Sequence, residues 1–401
     1  MNDWPSRYAT RAAHMAASEI RELLKLLDQP DIISFAGGIP APSLFPRAEI
    51  AEAYRRILAD PARGQTALQY AVSEGYAPLR EWLANYMGRL GISCGHANIT
   101  ITNGSQQALD FLGKLFISPG DPVLVAWPTY LGALQAFNAY EPTYDALPGP
   151  GTNRSPESYR AGGKQPRLAY CMPEFQNPTG TCLTMAERTA TLDLADALDL
   201  PVVEDNAYEK LRYDGVRLPP LLAIDAERKG GIENSRVIYC GTFSKSIAPA
   251  LRIGWVCAAT PVIQKLVLIK QASDLHVSTL NQMVMHEVAS EIIDTHGAKI
   301  LAAYKKNRDA ALAALDKYMP PGVTWTRPEG GMFIWVTLPP QLDGALLLER
   351  AIREIKVAFV PGAAFYADRS QRNHIRLSFS VLDEASIDEG IKRLGGMLQK
   401  A

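Results

Sequence analysis

Lys245 stands in a segment whose residue types could hold both an aldehyde and a phosphate. Residues 237–240 form an apolar run typical of a strand; Thr242, Ser244 and Lys245 follow it, and Arg252 comes seven positions after the lysine. A lysine on a fixed turn can keep its amine partly neutral, as a Schiff base requires. Hydroxyl groups and a guanidinium suit a phosphate dianion. The segment therefore predicts a site for an aldehyde cofactor that carries a phosphate, against the alternative of a solvated surface lysine.

Asp205 and Tyr208 are candidates for contacts to the ring of such a cofactor. Residues 201–204 read as a short buried strand, and Asp205 follows at its carboxyl end. In open α/β sheets ligands bind beyond that end of the strands. A carboxylate beside a pyridine nitrogen keeps the nitrogen protonated, so that the ring can accept electrons, and Tyr208 could bond the ring hydroxyl. The alternative for Asp205 is a helix N-cap after the strand.

A third polar segment, residues 177–180 with the sequence Asn-Pro-Thr-Gly, follows the strand-like residues 167–170. Alone it is an ordinary turn, because proline and glycine both favour one. However, Asn177 precedes Asp205 by 28 positions and Lys245 by 68. The three segments therefore predict polar clusters at the ends of three strands of one sheet.

In combination these segments resemble the class I/II, fold-type I aminotransferases that depend on pyridoxal 5'-phosphate. The resemblance extends from residue 35 to residue 379, and the Gly-Gly-x-Pro-x-Pro stretch at residues 37–42 is similar to the branch of 2-aminoadipate and kynurenine aminotransferases. It implies an α/β fold, with a mostly parallel seven-stranded sheet in a large domain and a smaller α+β domain. It also implies a pyridoxal-phosphate-dependent enzyme.

The resemblance assigns cofactor contacts beyond Lys245, Asp205, Asn177 and Tyr208. A predicted helix opens after the strand at residues 98–102, and its N-terminus suits a phosphate. The contacts implied around the phosphate and ring are Ser105, Gln106, Thr242, Ser244 and Arg252, with Tyr130 stacked on the ring. For Tyr130 the alternative is an aromatic side chain that packs an ordinary loop. Tyr70 is expected to reach the phosphate of a neighbouring subunit, which implies a homodimer with shared active sites.

Substrate contacts are implied for Arg376, Asn177, Gly38 and Arg21. Arg376 lies in an apolar, strand-like run, where it could pair with the α-carboxylate of an amino acid; the alternative is an outward-facing arginine on an edge strand. Gly38 would let the backbone approach the substrate. Residues 18–27 predict an amphipathic helix. The resemblance implies that this helix covers the active site, with Arg21 a candidate for a distal carboxylate; the alternative is a docked surface helix with i,i+4 charge pairs.

The composition indicates a cytoplasmic enzyme of ordinary kind. The chain has 401 residues, 47% of them hydrophobic, and a net charge of −1, which gives no reason to bind nucleic acid or an anionic membrane. No apolar run approaches a membrane span, and the N-terminus lacks a signal pattern. Five scattered cysteines without Cys-x-x-Cys, and dispersed histidines, argue against a metal site.

Strand and helix signals divide the chain into two expected domains. From about residue 98 to 258 they alternate, as in a parallel sheet covered by helices. Residues from about 280 to 318 form a long, helix-favouring region, and short strand-like runs follow at 333–336, 357–360 and 375–379. We expect a large cofactor-binding domain of residues 46–300, and a small domain of residues 1–45 with 301–401.

The reaction that the resemblance implies is ping-pong transamination. Lys245 would hold the cofactor and then act as general base, while Asp205 keeps the ring protonated. The donor would be 2-aminoadipate, an aromatic or a branched-chain L-amino acid, and 2-oxoglutarate the expected acceptor. A β-eliminating lyase or decarboxylase on the same scaffold is one alternative. A non-enzymatic ligand sensor is another.

Overall fold

The computed structural model describes residues 3–14, 31–148, 155–160 and 163–400. The helix expected at residues 18–27, and Arg21 with it, lie outside the described residues. The strands are β1 (Ile33–Ser34), β2 (Ile99–Asn103), β3 (Pro122–Val125), β4 (Thr143–Ala146), β5 (Leu168–Cys171), β6 (Val202–Asp205), β7 (Val237–Thr242), β8 (Ile253–Cys257), β9 (Thr324–Trp325), β10 (Phe333–Thr337), β11 (Val357–Ala358), β12 (Val360–Pro361) and β13 (His374–Ser378).

Helices connect and cover these strands. The α-helices are α1 (Arg47–Ala59), α2 (Pro61–Leu68), α3 (Ala77–Arg89), α4 (Ser105–Phe116), α5 (Leu131–Asn138), α6 (Pro156–Arg160), α7 (Met185–Leu198), α8 (Leu221–Lys229), α9 (Thr260–Gln271), α10 (Thr279–Tyr318), α11 (Gly344–Arg350) and α12 (Glu384–Leu398). The helix-favouring region expected at about 280–318 is helical, and it forms the single helix α10. None of the helices in the described part of the chain combines the length and apolarity needed to cross a membrane.

Seven strands form the main sheet, in the order β2-β8-β7-β6-β5-β3-β4. The pairs from β7 to β4 are parallel, and only β8 runs antiparallel to its neighbours β2 and β7. Consecutive residues of β5 pack on opposite faces: Leu168 and Tyr170 join one hydrophobic cluster, Ala169 and Cys171 the other. Both faces are therefore buried, which suits continuous apolar strands. The mostly parallel α/β fold expected from the sequence is confirmed.

A second, antiparallel sheet has the order β12-β13-β10-β9, and β1 pairs separately with β11 in parallel. The expected single run at residues 357–360 is thus two short strands, because β11 pairs with the N-terminal β1 and β12 pairs with β13. β13 carries Arg376 between β12 and β10. An edge-strand position for Arg376 is therefore wrong.

Candidate active site

The carboxyl ends of the parallel strands meet at one edge of the main sheet, and a cavity of about 530 Å³ opens there. Because β8 runs antiparallel to β7, its amino end lies at this same edge. Arg252 immediately precedes β8 and is therefore placed at the edge as well. The cavity wall contains most of the residues singled out from the sequence: Gly38, Ser105, Gln106, Tyr130, Asn177, Asp205, Tyr208, Thr242, Ser244, Lys245, Arg252 and Arg376. Strand order thus brings together residues that are up to 338 positions apart, from 38 to 376.

Asp205 ends β6 and is only 1% exposed. Its Oδ2 accepts a hydrogen bond of 2.9 Å from the Tyr170 hydroxyl, whereas Oδ1 has no hydrogen-bond partner among the described residues. Burial raises the pKa of Asp205 to about 6, although the Tyr170 hydroxyl and the backbone N–H of Ala207 oppose that rise. A buried carboxylate oxygen without a donor is costly, so it indicates a site for a ligand N–H. Residues 207–210 form a turn, so the helix N-cap alternative is wrong.

Lys245 lies three residues beyond the end of β7, in a turn at residues 244–247. It is half-buried, and its Nζ donates a hydrogen bond of 3.1 Å to the carbonyl oxygen of Gly38. Burial lowers the pKa of Lys245 to about 8, with further lowering by the charges of Arg376 and Arg252. A fraction of the amine is therefore neutral near neutral pH, which a nucleophilic lysine requires.

Arg376 is 1% exposed and forms no ion pair with a carboxylate among the described residues. Its Nη1 donates to Asn177 Oδ1 at 2.9 Å and its Nη2 to the carbonyl oxygen of Ala36 at 2.8 Å, while Nε has no acceptor in the part of the chain that the structure describes. The guanidinium carbon lies 4.3 Å from the ring centre of Phe333 and 5.2 Å from that of Phe365. Burial lowers the pKa of Arg376 to about 10. A buried cation without a counter-charge favours an anionic ligand.

The opposite side of the cavity offers donors for a phosphate. Helix α4 begins at Ser105 after Gly104, and no side chain caps its first N–H groups. Arg252 donates from Nη2 to the carbonyl oxygen of Asn103 at 3.0 Å, and Thr242 donates to Ser244 Oγ at 2.9 Å. Gly104 has φ +74°, and a Cβ there would lie 2.6 Å from Arg252 Nη2. Only glycine therefore allows this guanidinium beside an open helix N-terminus.

Aromatic side chains line the space between these two sides. Tyr130 follows β3, and burial raises its pKa to about 12. The Tyr208 ring lies edge-on to Phe333 with centres 5.6 Å apart, and Lys245 Nζ is 5.8 Å from the Tyr208 ring centre. Both phenols are thus held neutral inside the cavity, available to donate hydrogen bonds.

Tyr70 does not line this cavity. Its side chain is 78% exposed, and its ring stands edge-on to His276 at 5.8 Å. Leu68 and Val72 beside it are also exposed, at 73% and 62%. Tyr70 therefore lies in an exposed, largely apolar segment of the surface, outside the cavity formed by the described residues of the same chain.

Several cavity residues were not anticipated from the sequence. Ile39, Leu131, Gly132, Gln135, Met172, Ala207 and Pro249 complete the wall. Tyr170, whose hydroxyl bonds Asp205, was also missed. Its signal was a tyrosine near the end of a short apolar strand, where the hydroxyl must find a buried partner. The other unanticipated wall residues are of types whose sequence context predicts no binding or catalytic role.

Comparison with known proteins gives consistent matches over the whole chain. The sequence profile of the family described as aminotransferase class I and II matches residues 31–394. Aromatic-amino-acid aminotransferase 1 of Thermococcus litoralis is 44% identical, over 99% of this chain and 95% of that protein.

Two solved structures are also similar. LysN, an α-aminoadipate aminotransferase of Thermus thermophilus complexed with N-(5'-phosphopyridoxyl)-L-leucine, has a TM-score of 0.89 and 41% identity, covering 100% of this chain and 99% of that one. Pyrococcus horikoshii kynurenine aminotransferase in complex with PMP has a TM-score of 0.91 and 44% identity, covering 100% and 98%. The expected resemblance is confirmed.

Proposed function

The chain belongs to the class I and II aminotransferases, and from that premise we propose that it moves the α-amino group of a 2-aminoadipate, aromatic or branched-chain L-amino acid to 2-oxoglutarate. The chain is an aminotransferase whose cofactor is pyridoxal 5'-phosphate. This membership favours transamination over the lyase, decarboxylase and sensor alternatives. The specific donor, the acceptor and the residue roles are the proposed part.

The observation that carries the proposal is the set of unsatisfied groups that share one cavity. Within the described part of the chain, Asp205 Oδ1 lacks a donor, Arg376 lacks a carboxylate, and helix α4 has an N-terminus without a side-chain cap. A protonated pyridine nitrogen, an α-carboxylate and a phosphate are the chemical complements of these three groups. The cavity residues therefore fit pyridoxal phosphate together with an amino-acid substrate.

Each side chain has one proposed task. When bound, pyridoxal phosphate supplies an aldehyde that takes up the amino group and a ring that accepts the electrons left when the α-proton departs. Arg376 and Asn177 hold the α-carboxylate and so orient the α-carbon. Lys245 Nζ would accept the α-proton as general base, because its lowered pKa leaves the amine partly neutral.

The remaining groups hold the cofactor. Asp205 keeps a proton on the ring nitrogen, and Tyr208 donates to the ring hydroxyl. Tyr130 stacks on the ring. Arg252, Ser105, Gln106, Thr242 and Ser244 bind the phosphate.

Visible absorbance of the purified holoprotein tests the assignment directly. We expect a yellow band that bleaches with particular L-amino acids and returns on addition of 2-oxoglutarate. The Lys245→Ala variant should lack the wild-type spectrum. A spectrum unaltered in that variant, or product release without any 2-oxo acid, would contradict the proposal.

In this proposal, Arg21 determines which side chain of the amino-acid donor the site prefers. Among the described residues of the cavity wall, the cationic side chains are Lys245, Arg252 and Arg376, each with another proposed task, and Ile39, Leu131 and Met172 are apolar. We expect Arg21→Ala to lower 2-aminoadipate turnover relative to leucine turnover. An unchanged ratio would remove Arg21 from the site and favour an apolar donor.

We also propose a homodimer in which Tyr70 completes the partner's site. The exposed apolar segment at residues 68–72 supports this proposal because such surfaces favour burial in an interface. Mixing Tyr70→Ala with Lys245→Ala provides the test, since a mixed dimer would contain one site free of both substitutions. Recovered activity is expected, and no recovery despite mixed dimers would refute the sharing of sites.

The two-domain division remains a proposal. Strands β2 to β8 lie within residues 46–300, and β9, β10, β12 and β13 within residues 301–401, whereas helix α10 crosses the boundary at 300. Limited proteolysis that releases one stable fragment would support the division. The cytoplasmic location stays a prediction.

A further inference from the structure

Tyr170 and Asp205 form a buried pair next to the cavity. Tyr170 lies on β5 opposite Val203 of the neighbouring strand β6, so its side chain stands close to the end of β6. Its hydroxyl donates to Asp205 Oδ2 at 2.9 Å, and both residues are at most 1% exposed. Phe137 packs edge-on against the Tyr170 ring, with centres 5.8 Å apart. The phenol is therefore fixed in place.

We propose that Tyr170 is a positioning residue that keeps the proton shared by Asp205 and the cofactor's ring nitrogen on the nitrogen. This inference rests on the proposed function, since it assumes that the ring nitrogen lies at Asp205. Tyr170 itself touches neither cofactor nor substrate in this proposal. It acts only through the carboxylate.

The physical reason is the effect of a donor on carboxylate basicity. A hydrogen bond to a charged carboxylate stabilises the ionised form and makes the oxygen a weaker base. With Oδ2 committed to Tyr170, only Oδ1 is left for the ring nitrogen. In a buried site the proton of an N–H···O pair moves to the oxygen when that oxygen becomes more basic. Loss of the Tyr170 hydroxyl should therefore leave the ring less protonated and a poorer acceptor of electrons.

Other groups near Asp205 do not replace this donor. The titratable side chains around it are Cys171 on β5, Cys240 on β7, and Tyr130, Tyr208, Lys245 and Arg376 at the cavity. Of these, the cation of Lys245 also favours the ionised carboxylate, but through its charge and not through a hydrogen bond. Within the described part of the chain, the hydrogen bonds to Asp205 from outside its own backbone segment come from Tyr170 alone.

The test is the ¹⁵N chemical shift of pyridoxal phosphate labelled at the ring nitrogen and bound to the holoenzyme, recorded as a function of pH. In Tyr170→Phe we expect the shift to move toward the unprotonated value, with the titration of the ring displaced downward by about one to two pH units. The kcat should fall about 10- to 100-fold with little change in KM.

Tyr140→Phe is the matched control. Tyr140 also donates to an aspartate at 2.9 Å, Asp110 on α4, but it does not line the cavity. This variant should leave both the ¹⁵N shift and kcat unchanged. If it reproduces the effect of Tyr170→Phe, the loss reflects general destabilisation and the inference is overturned.

Asp205→Asn separates this inference from the proposed function. A wild-type ¹⁵N shift in Asp205→Asn would refute the placement of the ring nitrogen. A changed shift in Asp205→Asn together with a wild-type shift in Tyr170→Phe would refute the role of Tyr170 alone. Fluorotyrosine at position 170 keeps the hydroxyl and is a stronger hydrogen-bond donor, so it should displace the pH titration of the ring upward. An unchanged or downward-displaced titration would contradict the role of Tyr170. This measurement remains decisive even if Tyr170→Phe does not fold.

Discussion

The attachment of pyridoxal phosphate to the cofactor-free protein should report the lowered pKa of Lys245. That pKa falls from 10.5 to about 8 because the amine is desolvated and lies near Arg376 and Arg252. Only the neutral amine attacks an aldehyde. At pH 7 the neutral fraction is then about 9%, against roughly 0.03% for an unperturbed lysine, a difference of about 300-fold.

Stopped-flow absorbance of cofactor attachment over a range of pH measures this fraction. Because the folded pKa is depressed, the rate should rise as pH increases and level off above about 8. A small free amine reacted in parallel gives the pH dependence of the aldehyde itself. A midpoint at 10.5, the unperturbed value, would mean that neither burial nor the two arginines lower the pKa of Lys245.

Two variants at Arg376 identify the cause of the depression. Arg376→Gln removes a nearby positive charge, so the midpoint should move upward. Arg376→Lys keeps a charge there and should stay close to the wild type. Equal midpoints in both variants would mean that the charge of Arg376 does not contribute to the lowered pKa of Lys245.

Further predictions concern three other contacts. Arg252→Gln should weaken cofactor binding roughly 10- to 100-fold, measured as Kd by absorbance titration, because a charged hydrogen bond is lost; the exposed Arg228→Gln should not. Gly38→Ala places a Cβ 3.1 Å from Phe333 Cζ and 3.6 Å from Arg376 Nη2, so kcat/KM should fall about 10- to 100-fold with unchanged cofactor affinity. Gly88→Ala, which meets nothing within 4 Å, is its control. Glu174 pairs with Arg188 at 2.5 Å and with Arg212 at 2.6 Å, and all three side chains are nearly buried. Glu174→Gln should therefore lower the free energy of unfolding, measured by denaturant titration, by about 3–5 kcal/mol. Glu52 pairs with Arg55 at the surface and its side chain is 44% exposed, so Glu52→Gln should leave that energy nearly unchanged. An equal loss in both variants would mean that burial does not set the cost.

The sequence alone identified the groups that lie at the ends of strands. Lys245, Asp205 and Asn177 each follow a short apolar run. The carboxyl ends of parallel strands lie at the same edge of a sheet. Their convergence was therefore predictable from local pattern and strand direction. Helix α4 and its open N-terminus were predictable for the same reason, since a strand, a glycine and helical apolar spacing follow one another directly.

Contacts between elements distant in the chain were decided only by the tertiary structure. No local pattern indicates that Arg376 donates to the carbonyl oxygen of Ala36, 340 positions away, or that Phe333 and Phe365 flank its guanidinium. The bond from Tyr170 to Asp205 likewise depends on β5 and β6 being neighbours in register. A residue's type and its neighbours in sequence determine which chemistry it can perform. Its partner, burial and pKa follow from strand order and packing, because these quantities depend on which distant atoms exclude water around it.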